Sequence, residues 1–145
     1  MNRDTSPILL VEDDINDVFF FQRAAEKAAL TRKVQVARDG QEAVGYLSGE
    51  GEFADREKYP LPCLIILDLN MPRKNGFEVL EWLREMPPLD TLPAVILTSS
   101  QAERDRQQAY DLGAKAYFVK PSDPAKLVEL LKVIMTDYSE SEQSV

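Results

Sequence analysis

Leu64-Ile65-Ile66-Leu67-Asp68-Leu69-Asn70-Met71-Pro72 lies near the middle of the chain and joins an apolar run to an acid and a turn. Four consecutive apolar residues, β-branched in the middle, read as a strand buried on both faces. A carboxylate, Asp68, stands where the run ends, and Met71-Pro72 stops the strand and forces a turn. Open α/β sheets hold ligands at the carboxyl ends of their parallel strands. That makes Asp68 a candidate reactive or ligand-binding group, and the alternative on this stretch alone is a turn-capping aspartate.

Working outward, four more short apolar runs appear. Ile8-Leu9-Leu10-Val11 ends in Glu12-Asp13-Asp14, and Val34-Gln35-Val36-Ala37 meets Asp39-Gly40. Pro93-Ala94-Val95-Ile96-Leu97 leads into Thr98-Ser99-Ser100, and Ala116-Tyr117-Phe118-Val119 into Lys120-Pro121. Between them the apolar spacing turns helical. A first helix starts at a cap on Asp14 or Asn16 and runs to about Leu30, with Val18, Phe20, Phe21, Ala24, Ala25 and Ala28 inward and Phe19 off the stripe. Helices follow over Gln41 to Ser48, about Phe77 to Met86, and about Ala102 to Leu112 with Gly113 as its C′ residue. The last is capped by Ser122 or Asp123, has Pro124 in its first turn, and turns Leu127, Leu130, Leu131 and Ile134 inward. Segment 49–62 reads as a long loop whose glycines and prolines leave no regular element, with Phe53 and Tyr59 pinning it to the surface. Strand and helix alternate five times, which calls for a doubly wound parallel sheet with right-handed crossovers. The expected organisation is one domain, 8–138, between an N-terminal tail, 1–7, and a polar tail, 139–145.

Composition narrows the chemistry. The chain has 145 residues, a formal net charge of −8, one cysteine and no histidine. The charge argues against nucleic acid as a partner. No apolar run is long enough to span a membrane, and residues 1–7 lack the apolar core of a leader. Cys63 opens a buried strand and reads as an inert small hydrophobe in a reducing compartment, so a cytoplasmic location is expected. Without histidine, Ser-His-Asp triads, Cys-His pairs and histidine-ligated metals are excluded.

In a parallel sheet all carboxyl ends point the same way. Four of the five strands therefore deliver Glu12 and Asp13, Asp68, Thr98 and Lys120 to one edge. Crowded carboxylates repel, and a divalent cation relieves them; an all-oxygen site with open positions suits magnesium. A cation, an ammonium and a hydroxyl together receive an anion rich in oxygens, as a phosphoryl group is. The available nucleophile is a carboxylate, and Asp68 is the central one, so the expected product is an aspartyl phosphate.

These residues resemble the receiver domain of bacterial two-component response regulators over about Ile8 to Tyr138. The motifs are Glu12-Asp13, Asp68 followed by Met71-Pro72 and Gly76, Thr98 with small Ser99, Tyr117, and Lys120-Pro121. The resemblance implies a flavodoxin-like five-stranded sheet in the order 2-1-3-4-5 with five helices. It implies Asp68 as phosphoacceptor, with magnesium held by Asp13, Asp68 and the Asn70 carbonyl and by Glu12 through water. It implies that Thr98 and Lys120 contact the phosphoryl group, that Thr98 and Tyr117 form a switch pair whose ring turns inward, and that the Lys120–Pro121 bond is cis. The long loop 49–62 is similar to that of single-domain regulators serving phytochrome kinases.

The implied partners are a histidine kinase, a phytochrome among the choices, and a phosphotransfer protein or another protein target. Catalysis is limited to the chain's own phosphorylation and dephosphorylation. With no effector domain in the sequence, output is expected through protein contacts, and Val133 and Met135 suggest a homodimer through the last helix. Three rivals share these features. A flavin module wants a hydroxyl-rich phosphate loop where Glu12-Asp13-Asp14 stands. An aspartate-nucleophile phosphatase wants an acid where Asn70 stands. A degenerate receiver used for docking would lack reactive positions that are filled here.

Overall fold

Each apolar run becomes a strand of one parallel sheet in the computed structural model, which describes residues 6–139. The strands are β1 (Ile8–Val11), β2 (Val34–Ala37), β3 (Leu64–Leu67), β4 (Ala94–Thr98) and β5 (Ala116–Val119), in the order β2-β1-β3-β4-β5. The helices are α1 (Ile15–Lys27), α2 (Gly40–Ser48), α3 (Gly76–Arg84), α4 (Glu103–Asp111) and α5 (Pro124–Ile134). β1 and β3 pair from Ile8 opposite Leu64 to Val11 opposite Leu67, so Glu12 and Asp68 leave the ladder at the same level.

The strands alternate two buried sets, because successive residues point to opposite faces. Leu9, Val11, Ile65, Leu67 and Ile96 meet Tyr46, Leu47, Val79, Leu80 and Leu83 from α2 and α3. Ile8, Leu10, Leu64, Ile66, Val95 and Leu97 meet Phe21, Ala24, Ala25, Leu131 and Ile134 from α1 and α5. Burying each valine, leucine, isoleucine or phenylalanine among them stabilises the fold by about 1.5–3 kcal/mol before entropy is counted. Local chemistry sets the helix starts. Asp14 accepts the Asn16 and Asp17 N–H groups, Asn75 and Glu78 form a capping box, and Asp123 caps α5 with Pro124 in the first turn. Gly76 is dictated by crowding: a Cβ there would lie 2.4 Å from the Asp68 carbonyl oxygen, so only glycine lets α3 begin against the end of β3.

The structure departs from the sequence reading at several points. Phe20 is not on the inward stripe of α1; like Phe19 it is about half exposed, since Phe21, Ala24 and Ala25 take the buried face. Segment 49–62 contains a 3-10 turn over Gly51–Ala54, made possible by the left-handed Gly49 that ends α2 at φ 74°. Lys120–Pro121 is trans, and the one cis bond among the described residues is Pro87–Pro88. The Lys120 N–H instead extends the sheet by donating to the Thr98 carbonyl at 2.8 Å, which carries the lysine to the end of β4. Met135 turns into the α1–α5 core and leaves Val133 as the exposed member of that pair. A π turn, Met135–Ser139, continues α5, and Tyr138 packs edge-on against Phe118. Of the two expected tails, residues 1–5 and 140–145 lie outside the described residues.

Candidate functional site

The carboxyl edge of the sheet is where the strand-end groups meet. Glu12 and Asp68 are buried, and Asp13 beside them is exposed. One carboxylate oxygen from each of Glu12, Asp13 and Asp68 lies within 4.8 Å of the others. Lys120 closes the cluster. Its Nζ is 2.7 Å from Glu12 Oε1, 3.2 Å from Asp68 Oδ2 and 2.7 Å from Asp17 Oδ2. Asp68 is further oriented by the Leu69 N–H, which donates to Oδ1 at 2.7 Å and leaves Oδ2 facing the ammonium.

Electrostatics follow from this crowding. Burial, with the Asp68 charge adding to it, raises the Glu12 carboxyl to about 7 against the pull of Lys120. Burial alone would lower the Lys120 pKa, but its hydrogen bonds to Asp17 and Glu12 and the Asp68 charge raise it, so the ammonium stays charged. The donor set is therefore three carboxylates held close together, with one ammonium against Glu12 and Asp68. It fits a hard divalent cation with oxygen ligands and waters.

Thr98 is fully buried at the end of β4, and its Oγ1 accepts the Ser100 N–H at a long 3.4 Å. Tyr117 is also buried. Its ring already points inward, and its OH donates to the Ser100 carbonyl at 2.9 Å, with the Arg106 guanidinium 5.9 Å from the ring centroid. Asn70 is exposed on the turn after Asp68. That turn is tied down by Arg73, whose guanidinium pairs with Asp39. Asp39 also caps α2 through the Glu42 N–H at 2.8 Å. Burial opposes the Asp39 charge, but the Glu42 N–H and Arg73 outweigh it and hold its carboxyl below the usual range.

Thus Glu12, Asp13, Asp68 and Lys120 come together, with Thr98 at the end of β4, Asn70 on the turn after Asp68, and Tyr117 on the neighbouring β5. Asp17 escaped the sequence reading. It lies in the first turn of α1, just past the acids that end β1, and its partner Lys120 is 103 residues away, so no local pattern marked it. A cavity of about 370 Å³ between α1 and α5 is lined by Glu12, Asp17, Asp68 and Lys120 together with Phe20 and Leu127.

The family model for the response regulator receiver domain matches residues 8–132. Response regulator Rcp1 of Synechocystis sp. is 34% identical over 134 residues, covering 92% of this chain and 89% of that protein. The crystal structure of the phosphorylated cyanobacterial phytochrome response regulator RcpA superposes with a TM-score of 0.83 at 36% identity, covering 92% of this chain and 94% of that one. The Mn(2+)-bound form of Rcp1 superposes with a TM-score of 0.81 at 34% identity, covering 93% and 95%.

Proposed function

The chain belongs to the response regulator receiver family, and from that premise we propose that it is a phosphoryl-accepting switch of the phytochrome-associated kind. A partner histidine kinase donates the group to Asp68. One Asp68 oxygen forms a bond to phosphorus as the bond from phosphorus to the donor imidazole nitrogen breaks, and the nitrogen keeps the electron pair. The observation that carries this reading is the cluster itself: three carboxylate oxygens within 4.8 Å of one another and an ammonium 3.2 Å from Asp68.

Asp13, Asp68 and the Asn70 carbonyl would hold magnesium, with Glu12 acting through water; when bound, it supplies positive charge beside the transferring oxygens. The protein's own groups do the rest. Lys120 pairs with a phosphoryl oxygen, Thr98 offers its hydroxyl to another, and the Leu69 N–H keeps Asp68 oriented. The added charge of roughly −1 to −2 draws Thr98 towards the site. That movement favours the buried Tyr117 ring and shifts the population of the α4–β5–α5 surface. This surface exposes Tyr110, Val119 and Val133 to a protein target or a second copy. Hydrolysis of the acyl phosphate by water at the same site resets the switch.

Acetyl phosphate and magnesium, followed by intact-mass spectrometry, test the proposal. The wild type gains ~80 Da, the mass of one phosphoryl group, and Asp68→Asn gains nothing. No adduct on the wild type, or an equal adduct on Asp68→Asn, overturns it.

A further inference from the structure

Asp17 sits outside the set of residues the proposed reaction uses, yet its Oδ2 is as close to Lys120 Nζ as Glu12 is, at 2.7 Å, and closer than Asp68 at 3.2 Å. The lysine is therefore shared unequally. Its tighter contacts run to two acids that do not receive the phosphoryl group. Asp17 is placed for this by the first turn of α1, whose cap on Asp14 accepts the Asp17 N–H at 3.2 Å and turns the side chain towards the sheet edge. Its side chain is 39% exposed, while that of Glu12 is 4% exposed. Of the three acids on Lys120 it is the one that water can most readily resolvate when the ammonium leaves.

We infer that Asp17 is a positioning residue that holds Lys120 in the unmodified protein and competes with the phosphoryl group for it, so that Asp17 sets how tightly the Asp68 site retains a phosphoryl-like anion. The inference rests on the receiver reading above. On modification the lysine exchanges one carboxylate partner for the phosphoryl oxygens, and Asp17 is left solvated. The cost of that exchange belongs to the phosphorylated state alone, so removing Asp17 favours that state.

The probe is beryllofluoride in the presence of magnesium, a stable stand-in for the phosphoryl group, titrated by calorimetry into the full chain. Asp17→Asn keeps the shape and drops the charge, and it binds beryllofluoride about fivefold more tightly than the wild type, in line with a half-exposed ion pair. Asp17→Glu restores wild-type affinity. In a Lys120→Met background the Asp17→Asn change has no effect, because the lysine transmits it. Asp17→Ala repeats the measurement should the Asn variant melt earlier than the wild type. Unchanged or weaker binding in both neutral variants overturns the inference. So does an equal gain in the Lys120→Met background, which would reveal plain charge repulsion. Failure of the wild type to bind beryllofluoride with magnesium is a different result: it removes the receiver reading itself, and the inference with it.

Discussion

The two faces of the sheet are built from the same strands but finished differently. On the α2–α3 face the core is sealed. Segment 49–62 folds over it, packing Phe53 at a tilt and Tyr59 edge-on against the buried Tyr46 ring at centroid distances of 5.2 and 5.8 Å. The Tyr46 hydroxyl donates to the Pro60 carbonyl at 2.8 Å. Arg56 donates to the carbonyls of Tyr46, Leu47 and Tyr59 at 2.8–3.1 Å, satisfying the last turn of α2. On the α1–α5 face the core stops short. Ile15, Phe19 and Phe20 stand exposed, and a cavity lined by Phe19 and Phe20 also takes in Lys120 and Asp68. One face is closed over by a loop, and the other keeps a cavity whose lining includes Asp68 and Lys120.

That contrast can be broken by substitution. Tyr46→Ala empties a buried aromatic site and removes the anchor of the loop, so it costs about 3–5 kcal/mol in urea denaturation. Phe20→Ala on the open face stays within about 0.5 kcal/mol. Comparable losses at the two positions would mean the open face is as structural as the sealed one. Arg56→Ala comes next, at about 1–3 kcal/mol, because it strips hydrogen bonds from partly buried carbonyls without emptying the aromatic cluster. The same denaturation series measures it, and a loss as large as that of Tyr46→Ala would show that the arginine, rather than the rings, holds the seal.

A smaller effect sharpens the picture at the edge shared by both faces. The Asp39 carboxyl is held below its ordinary 3.8, so the native state binds fewer protons there than the unfolded chain does. Its contribution is present above pH 3.8 and is lost as the pH falls through the lowered native value. Asp39→Asn keeps the helix cap and loses the charge facing Arg73, which is 64% exposed. The expected loss is about 0.5 kcal/mol at neutral pH, vanishing on acidification below the native pKa. Thermal melts across that range measure it, and a loss independent of pH would assign the effect to the cap alone.

Much of this was readable from the chain. The runs at Ile8, Val34, Leu64 and Ala116 became strands with the bounds read from sequence, because each is short, apolar and bounded by turn residues. β4 begins one residue later than its apolar run and takes in Thr98. Pro93 has no N–H for a ladder and contributes only its carbonyl, to Ile65. Phe20 was misplaced because Val18 to Phe21 is four apolar residues in a row, and a continuous run carries no phase. In segment 49–62 the anchors Phe53 and Tyr59 were legible, but the 3-10 turn and the hydrogen bonds of Arg56 to the end of α2 were not, since no local pattern encodes them. At the site, acids ending the apolar runs were legible, whereas Asp17 lay inside a helix and gained meaning only when Lys120 arrived from a position 103 residues away.

The central claim is that separate strand ends form one cation-binding cup around Asp68. Substoichiometric Mn2+ tests it in a backbone-amide NMR spectrum of the full chain, because the paramagnetic ion broadens the signals nearest to it. Glu12, Asp13, Asp68, Leu69 and Asn70 are expected to broaden first, and Asp13→Asn to abolish the effect. Broadening that begins elsewhere, as at Glu103 and Asp105 on α4, or that survives Asp13→Asn, would contradict it.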